Sequence, residues 1–325
     1  MSLCKASGLA IFAAVGLLGG TAGSAYAECT SGYSCATEWS AGKIINMGGL
    51  PNSVFNSATA INDVGQAVGY SDDAAVEWSG DSAINLGALP GAFASWALRI
   101  NDAGQIVGST EFELGKYSSA TEWSPGGSVI NLGGLPGSTS SQAAGINDAG
   151  QVVGESSAGA FPQATEWSPG GSVISLGDLP GQIVDSEALG INDVGQVVGW
   201  TFVYKPNGGV YATEWSPDGS VINLGALPGS NDSVATSIND VGQAVGYSYI
   251  GGVPYATEWS GDSIIALGGL PGSTGSVATG INDVGQVVGY SYISYVPESS
   301  TWAMMLFGFA GLGLVGYRRA RAGRV

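Results

Sequence analysis

Three residue types recur at spacings that could carry chemistry. Six Asp residues (Asp63, Asp102, Asp148, Asp193, Asp240 and Asp283) each sit in an Asn-Asp-x-Gly segment. Carboxylates in turns are hard-oxygen ligands for calcium. Each turn, however, offers a single Asp and lacks the further Asp and distal Glu of a calcium loop, so a turn-forming role is the simpler reading. Six Glu residues (Glu38, Glu77, Glu122, Glu166, Glu214 and Glu258) each precede a Trp. Paired carboxylates can run glycoside hydrolysis, but a catalytic pair is unique in its surroundings and these recur in every unit, which points to packing or hydrogen bonding. The six Trp residues could stack on sugars, yet equivalent positions in every unit fit a core between units better. The chain contains no His, which removes Ser-His-Asp triads, Cys/His zinc sites and an activated thiolate, and there is no phosphate-binding Gly-Lys loop. These residues call for no catalytic set, cofactor or metal, and imply a protein that is not an enzyme.

The elements that must position them follow from the repeat. The Trp residues fall at 39, 78, 123, 167, 215 and 259 and the Asn residues at 62, 101, 147, 192, 239 and 282, a period of 39 to 48 residues. Such a period marks a repeat architecture. In Ile146-Asn147-Asp148-Ala149-Gly150-Gln151-Val152-Val153-Gly154, the Asn and Asp can bond their own backbone and Gly can take a positive φ, the signature of a tight hairpin. Ala164 to Gly177 reads as a second hairpin, two β-prone runs around Pro169-Gly170-Gly171. Four short strands per unit with no helical periodicity predict an all-β fold, a six-bladed β-propeller. From each Trp to the next Asn the distance stays at 23 to 25 residues, whereas from each Asn to the next Trp it runs from 16 to 23. The fixed connection, which contains Leu-Gly-x-Leu-Pro-Gly, therefore joins blades, with the Asn-Asp hairpin as the inner two strands and the following Glu-Trp hairpin as the outer two. The chain starts with an outer hairpin (36–47) and ends with an inner one (280–291), which would close the ring as one composite blade. An open stack of β-repeats is the alternative.

The composition agrees: 55 of 325 residues are Gly, 44% are apolar and 11% charged, a profile of many tight turns between apolar strands. Acidic residues outnumber basic ones by 26 to 9, and between residues 28 and 296 the basic side chains are Lys43, Arg99, Lys116 and Lys205. So acidic a surface repels phosphate backbones and excludes nucleic acid as a partner.

The two ends read as addresses. Residues 1–27 have Lys5, an apolar run from Leu9 to Leu18 and Ala25-Tyr26-Ala27, the pattern of a signal peptide cleaved before Glu28 by signal peptidase. That leaves Cys29 and Cys35 in an oxidising compartment, either as a small disulfide loop or as two thiols. At the other end an apolar stretch, 302–317, is followed by Arg318, Arg319, Arg321 and Arg324, the layout of a transmembrane helix with its basic flank inside. The order Val296-Pro297-Glu298, apolar helix, Arg cluster resembles the PEP-CTERM sorting signal, with Ser299 where that family has a second Pro. The resemblance implies handling by an exosortase-type enzyme and transient residence in the inner membrane. Over residues 133–156 and 268–291, Gly-Gly-Leu-Pro-Gly-Ser leading to Gly-Ile-Asn-Asp-x-Gly-Gln-Val-Val-Gly resembles the HAF family of extracellular repeats, although His and Phe of the naming motif are absent. That resemblance implies secretion and repetition.

The domain plan is thus a signal peptide (1–27), a repeat domain (28–295) and a sorting segment (296–325). The expected function is an exported, non-enzymatic repeat protein of the cell envelope or extracellular polymer matrix, structural or adhesive. A lectin-like propeller is the second reading, and a polysaccharide-acting enzyme the third. For a ligand such as extracellular polysaccharide, the candidate residues are the aromatics of the length-variable loops: Phe112, Tyr117, Phe161, Phe202, Tyr204, Tyr211, Tyr249 and Tyr255.

Overall fold

The structure is a computed structural model and describes residues 34–293, apart from 41–42, 80–81, 114–116, 160, 180–182 and 205–207. The expected signal peptide, Cys29, the sorting residues Val296, Pro297, Glu298, Arg318 and Arg319, and the 302–317 segment lie outside these residues. Every regular element among the described residues is a β-strand. An opening hairpin, β1 (Ala36–Ser40) and β2 (Lys43–Gly48), precedes five four-stranded antiparallel sheets. Blade I holds β3 (Asn56–Ile61), β4 (Ala67–Ser71), β5 (Ala74–Ser79) and β6 (Ser82–Asn85); blade II holds β7 (Ala94–Ile100), β8 (Ile106–Glu113), β9 (Tyr117–Trp123) and β10 (Val129–Gly133). Blade III holds β11 (Ser140–Ile146), β12 (Val152–Ser157), β13 (Pro162–Trp167) and β14 (Val173–Ser175), and blade IV holds β15 (Ile183–Ile191), β16 (Val197–Val203), β17 (Val210–Trp215) and β18 (Val221–Asn223). Blade V holds β19 (Asp232–Ile238), β20 (Ala244–Ile250), β21 (Val253–Ser260) and β22 (Ser263–Ala266); β23 (Ser273–Ile281) and β24 (Val287–Ile293) end the array.

Strand order follows chain order in each blade, and the first strands of successive blades lie against one another. The blade boundaries fall where the spacing of Trp and Asn puts them: an Asn-Asp hairpin makes the first two strands and the next Glu-Trp hairpin the last two. The hairpins β1–β2 and β23–β24 form two separate two-stranded sheets rather than one sheet.

Local chemistry explains each blade. In the Asn-Asp turn, Asn147 Oδ1 accepts from the Gln151 backbone N–H and Asn147 Nδ2 donates to Gln151 Oε1, both at 2.9 Å. Gly150, at φ 76°, supplies the left-handed residue that the turn needs. Past the turn, the register slips by one residue between Ala143 and Gly145, a β-bulge that presses the first strand onto the second. Gly154 is required there, because a Cβ would overlap the Gln142 carbonyl oxygen. The same overlap recurs at Gly69, Gly108, Gly199, Gly246 and Gly289, so this second Gly of the repeat answers to close approach and not to turn geometry.

The core lies in the seams between blades. Val153 and Ala164 of blade III pack on Ala188, Val197 and Trp215 of blade IV, and equivalent sets fill the other seams. Each seam is also stitched by polar groups. Asn147 Nδ2 donates to the Asn192 carbonyl at 3.0 Å, and the Asp148 N–H donates to Asp193 Oδ1 at 2.8 Å. The Ala164 N–H donates to Ser186 Oγ at 2.9 Å, and Trp215 Nε1 donates to the Gly177 carbonyl at 2.8 Å. Trp167 is the exception, with a buried Nε1 that has no partner among the described residues. The repeated Glu residues brace the turn from the third strand: Gln151 Nε2 donates to Glu166 Oε1 at 3.2 Å. The repeated Asp, Glu and Trp side chains therefore hold the fold.

Asn147→Ala removes all three side-chain bonds and strands the buried Asn192 carbonyl. Urea denaturation should read a loss of about 2–3 kcal/mol, and a loss below 0.5 kcal/mol would mean that the seam bond is dispensable.

Candidate functional site

What breaks the repeat is more informative than what keeps it. The residue after the crowded Gly on the second strand is Tyr70, Ser109, Glu155, Trp200, Tyr247 or Tyr290 in blade order. Opposite it on the first strand stand Ser57, Trp96, Gln142, Glu187, Val234 and Val277. The frame is constant on either side of this level, and the level itself is free to differ. It lies toward the end of the blades that carries the length-variable loops, away from the Asn-Asp turns.

In blades III to V this level gathers three carboxyls and several aromatics. Glu187, on β15, has its pKa pushed up to about 7, first by burial and then by the like charge of Glu155; a 3.1 Å hydrogen bond from Trp200 Nε1 to its Oε2 pulls the other way. Glu155, on β12, is raised by burial and by Asp185. Asp185 is raised by burial, and its Oδ1 is shielded from solvent with no hydrogen-bond partner among the described residues. Tyr247 is pushed up to about 12 by burial and by Tyr249, Tyr292 and Glu187, which keeps its phenol protonated. Its ring meets that of Tyr249 edge to face, 5.3 Å apart at 87°.

Between blades IV and V a cleft of about 550 Å³ opens at this level, lined by Trp200, Phe202, Val210, Asp232, Val234, Tyr247 and Tyr249 among others. Its volume is in the range of small-molecule sites. Asp232 is held in place by the Val210 N–H, which donates to Oδ1 at 2.8 Å. Among the described residues no group of three or more His, Cys, Asp or Glu could hold a metal ion. The opposite end carries the repeated Asp residues. There the Asp193 carboxyl accepts the Asp148 N–H, which favours its charged form, but burial and the like charges of Asp148, Asp240 and Asp283 outweigh that bond and raise it.

Of the eight loop aromatics, Phe202 and Tyr249 line the cleft. Phe112 and Tyr117 belong to the β8–β9 hairpin of blade II, Tyr211 to β17 and Tyr255 to β21. Phe161 and Tyr204 are exposed near hairpin tips. The variable loops thus spread these residues over four blades instead of collecting them. Cys35 is disulfide-bonded.

No family model matches the chain and no curated protein does either. Solved structures do. A protein from Agrobacterium tumefaciens assigned as TolB is 14% identical over 78% of this chain and 95% of its own, with a TM-score of 0.53. TolB from Acinetobacter baumannii is 15% identical with a TM-score of 0.45, the match covering 64% of this chain and about half (52%) of that one. A gluconolactonase from Xanthomonas campestris is 13% identical with a TM-score of 0.41, over 80% and 84% of the two chains. At these identities the first likeness establishes the fold alone, an all-β propeller-like array. The expected non-enzymatic structural or adhesive repeat and its lectin-like alternative are both withdrawn: the fold is matched by a structure assigned as TolB, and the blades carry buried carboxyls outside the repeated set. The recurrence of the Glu before each Trp spoke against a catalytic pair, whereas Glu155 and Glu187 have no counterpart in the other blades.

The raised Glu187 has a thermodynamic signature. The folded state holds its proton more tightly than the unfolded chain, so Glu187 costs nothing below the ordinary Glu range and costs progressively more as pH rises toward about 7. Glu187→Gln should therefore raise Tm at pH 8 by at least about 2 °C and leave it unchanged at pH 4. Equal effects at both pH values would show that Glu187 titrates normally.

Proposed function

We propose that this chain is a propeller enzyme in which Glu187, beside Glu155, exchanges a proton with a small ligand bound in the seam between blades IV and V. The observation that carries this reading is a non-repeated carboxyl, buried next to a second carboxyl and hydrogen-bonded to an aromatic that lines a cleft. A carboxyl poised near neutral pH suits general acid–base work, because both of its forms are available where the protein operates. Two carboxyls in unlike environments also allow one to give a proton while the other stays charged. Carbon-13 NMR of the Glu side chains provides a ligand-free test, with one Glu carboxyl, absent from Glu187→Gln, titrating near pH 7. A screen of lactones, esters and glycosides should then yield a turnover that falls at least about 100-fold in that variant. An ordinary titration of Glu187 would overturn the proposal.

The sequence signals at the ends support export: signal peptidase cleavage before Glu28, then inner-membrane transit and processing by an exosortase-type enzyme at the Val296-Pro297-Glu298 motif. Mass spectrometry of the exported protein would read both cleavage sites and whether Cys35 is joined to Cys29.

We also infer that β1–β2 and β23–β24 complete a sixth blade. Val288 is 66% exposed, while Val68, Val107, Val153, Val198 and Val245 at the same position are 0% exposed. Ile61, on the first face of blade I, is 57% exposed, while its counterparts Ile100 and Ile238 are 9% and 7% exposed. These two surfaces are the halves of one more seam. In five blades the turn Gln donates to a third-strand Glu; in the sixth, that Glu is Glu38 of β1. Blades I to V pair the Trp of the third strand with the residue that directly follows Gln, at the start of the second strand, so the expected register sets Val287 against Trp39 and Val288 against Glu38. Val288→Asp tests it. On an exposed strand it costs within about 0.5 kcal/mol, whereas in a closed seam it costs about 2 kcal/mol or more.

A further inference from the structure

We propose that the cleft between blades IV and V takes a ligand that carries an organic ammonium group. The inference rests on the reading of this seam as a small-molecule site and adds the charge class of what enters it. Four aromatic side chains, Trp200, Phe202, Tyr247 and Tyr249, share the cleft with one carboxylate, Asp232. Aromatic rings attract cations through their negative faces, and they do so best when the cation leaves water. The perpendicular Tyr247–Tyr249 pair makes a corner rather than a flat shelf, so a compact cation can meet more than one ring. Quaternary ammonium groups, weakly hydrated and nearly spherical, fit such a corner better than planar guanidinium groups or flat sugar rings.

Charge points the same way. Glu187 is bonded to the indole Nε1 of Trp200; burial and then the like charge of Glu155 raise it, burial and then that of Asp185 raise Glu155, and burial raises Asp185. No cationic side chain acts on these carboxyls among the described residues. The base of the adjoining loop, Lys205, lies outside them. A ligand cation would relieve like-charge repulsion that the protein leaves unrelieved. By the same argument an anionic ligand is excluded, since each carboxylate would repel it.

The Tyr247 phenol stays neutral in this setting, being pushed up to about 12 by burial first and by its neighbours, and so competes for no cation at working pH. The groups that can titrate around the cleft are thus Glu187, Glu155 and Asp185 on the blade III and IV side and Asp232 on the blade V side. A cation in the cleft favours the ionised form of Glu187, so its affinity should fall as pH drops below about 7 and Glu187 takes up its proton.

The test compares choline with its uncharged isostere 3,3-dimethylbutan-1-ol on the full mature chain, by NMR titration of the Trp200 indole signal. Choline should bind about tenfold more tightly at pH 8, and the preference should shrink at pH 5. Phe202→Ala with Tyr249→Ala should abolish the preference, and Asp232→Asn should weaken it. Glu187→Gln should keep the preference but lose its pH dependence between 5 and 8. Equal binding of the two probes, or no binding of choline at 100-fold the concentration at which the alcohol binds, overturns the cation assignment. If that result comes with Glu187 still titrating near 7, the acid–base reading survives and only the ligand class falls. A choline preference with Glu187 titrating normally would instead leave the cleft a cation site and remove the proton-transfer role.

Discussion

The fold depends on one side chain used six times, the Asn of the Asn-Asp turn. In blades I to V its carboxamide spends its capacity in two directions at once. Oδ1 and one N–H close its own hairpin through Gln, and Nδ2 also reaches the backbone carbonyl of the next Asn. Buried amides must be satisfied, so a turn that is intact but has no neighbour leaves a donor unused, and a neighbour without an intact turn leaves a carbonyl unused. Local and long-range order therefore stand or fall together. Asp in this place would lack the donors, and Gln would put them out of reach.

From that constraint the rest of each blade follows. The turn sets where the second strand begins, the bulge after it presses the two strands together, and the crowded Gly is the only residue that tolerates the approach. The Val on the near side of that Gly fills the seam. Beyond the Gly, the frame no longer specifies the side chain, and Tyr70, Ser109, Glu155, Trp200, Tyr247 and Tyr290 differ accordingly. Chemistry collects where the scaffold has stopped making demands. The same division explains why the two ends of the array carry opposite characters: a regular row of Asp at the turn end and an irregular set of acids and aromatics at the other.

Much of this architecture was legible in the residues. The constant Trp-to-Asn spacing located the blade boundaries, because a connection between packed sheets cannot change length freely, and the consecutive Val152-Val153 announced a strand covered on both sides. Asp, Glu and Trp were legible as structural for the same reason: a residue that recurs in every unit answers to what every unit needs. The site was not legible by that logic. Glu155 and Glu187 come from different blades, and their meeting depends on the bulge and on the stacking of β12 beside β15, which no local pattern encodes. The loop aromatics are numerous but spread over four blades, and of the eight only Phe202 and Tyr249, near the ends of β16 and β20, line the cleft.

The sequence unit and the structural unit are out of phase. One repeat, counted from Trp to Trp, spans the outer half of a blade, a seam and the inner half of the next blade, so it contains both sides of a junction. Duplicating or deleting such a unit within the gene inserts or removes a blade together with a complete set of its own contacts, and every remaining junction keeps its original partners. Blade number can then drift by whole steps at little energetic penalty. A chain built this way carries, in its phase, a route by which its size could change without its interfaces being redesigned.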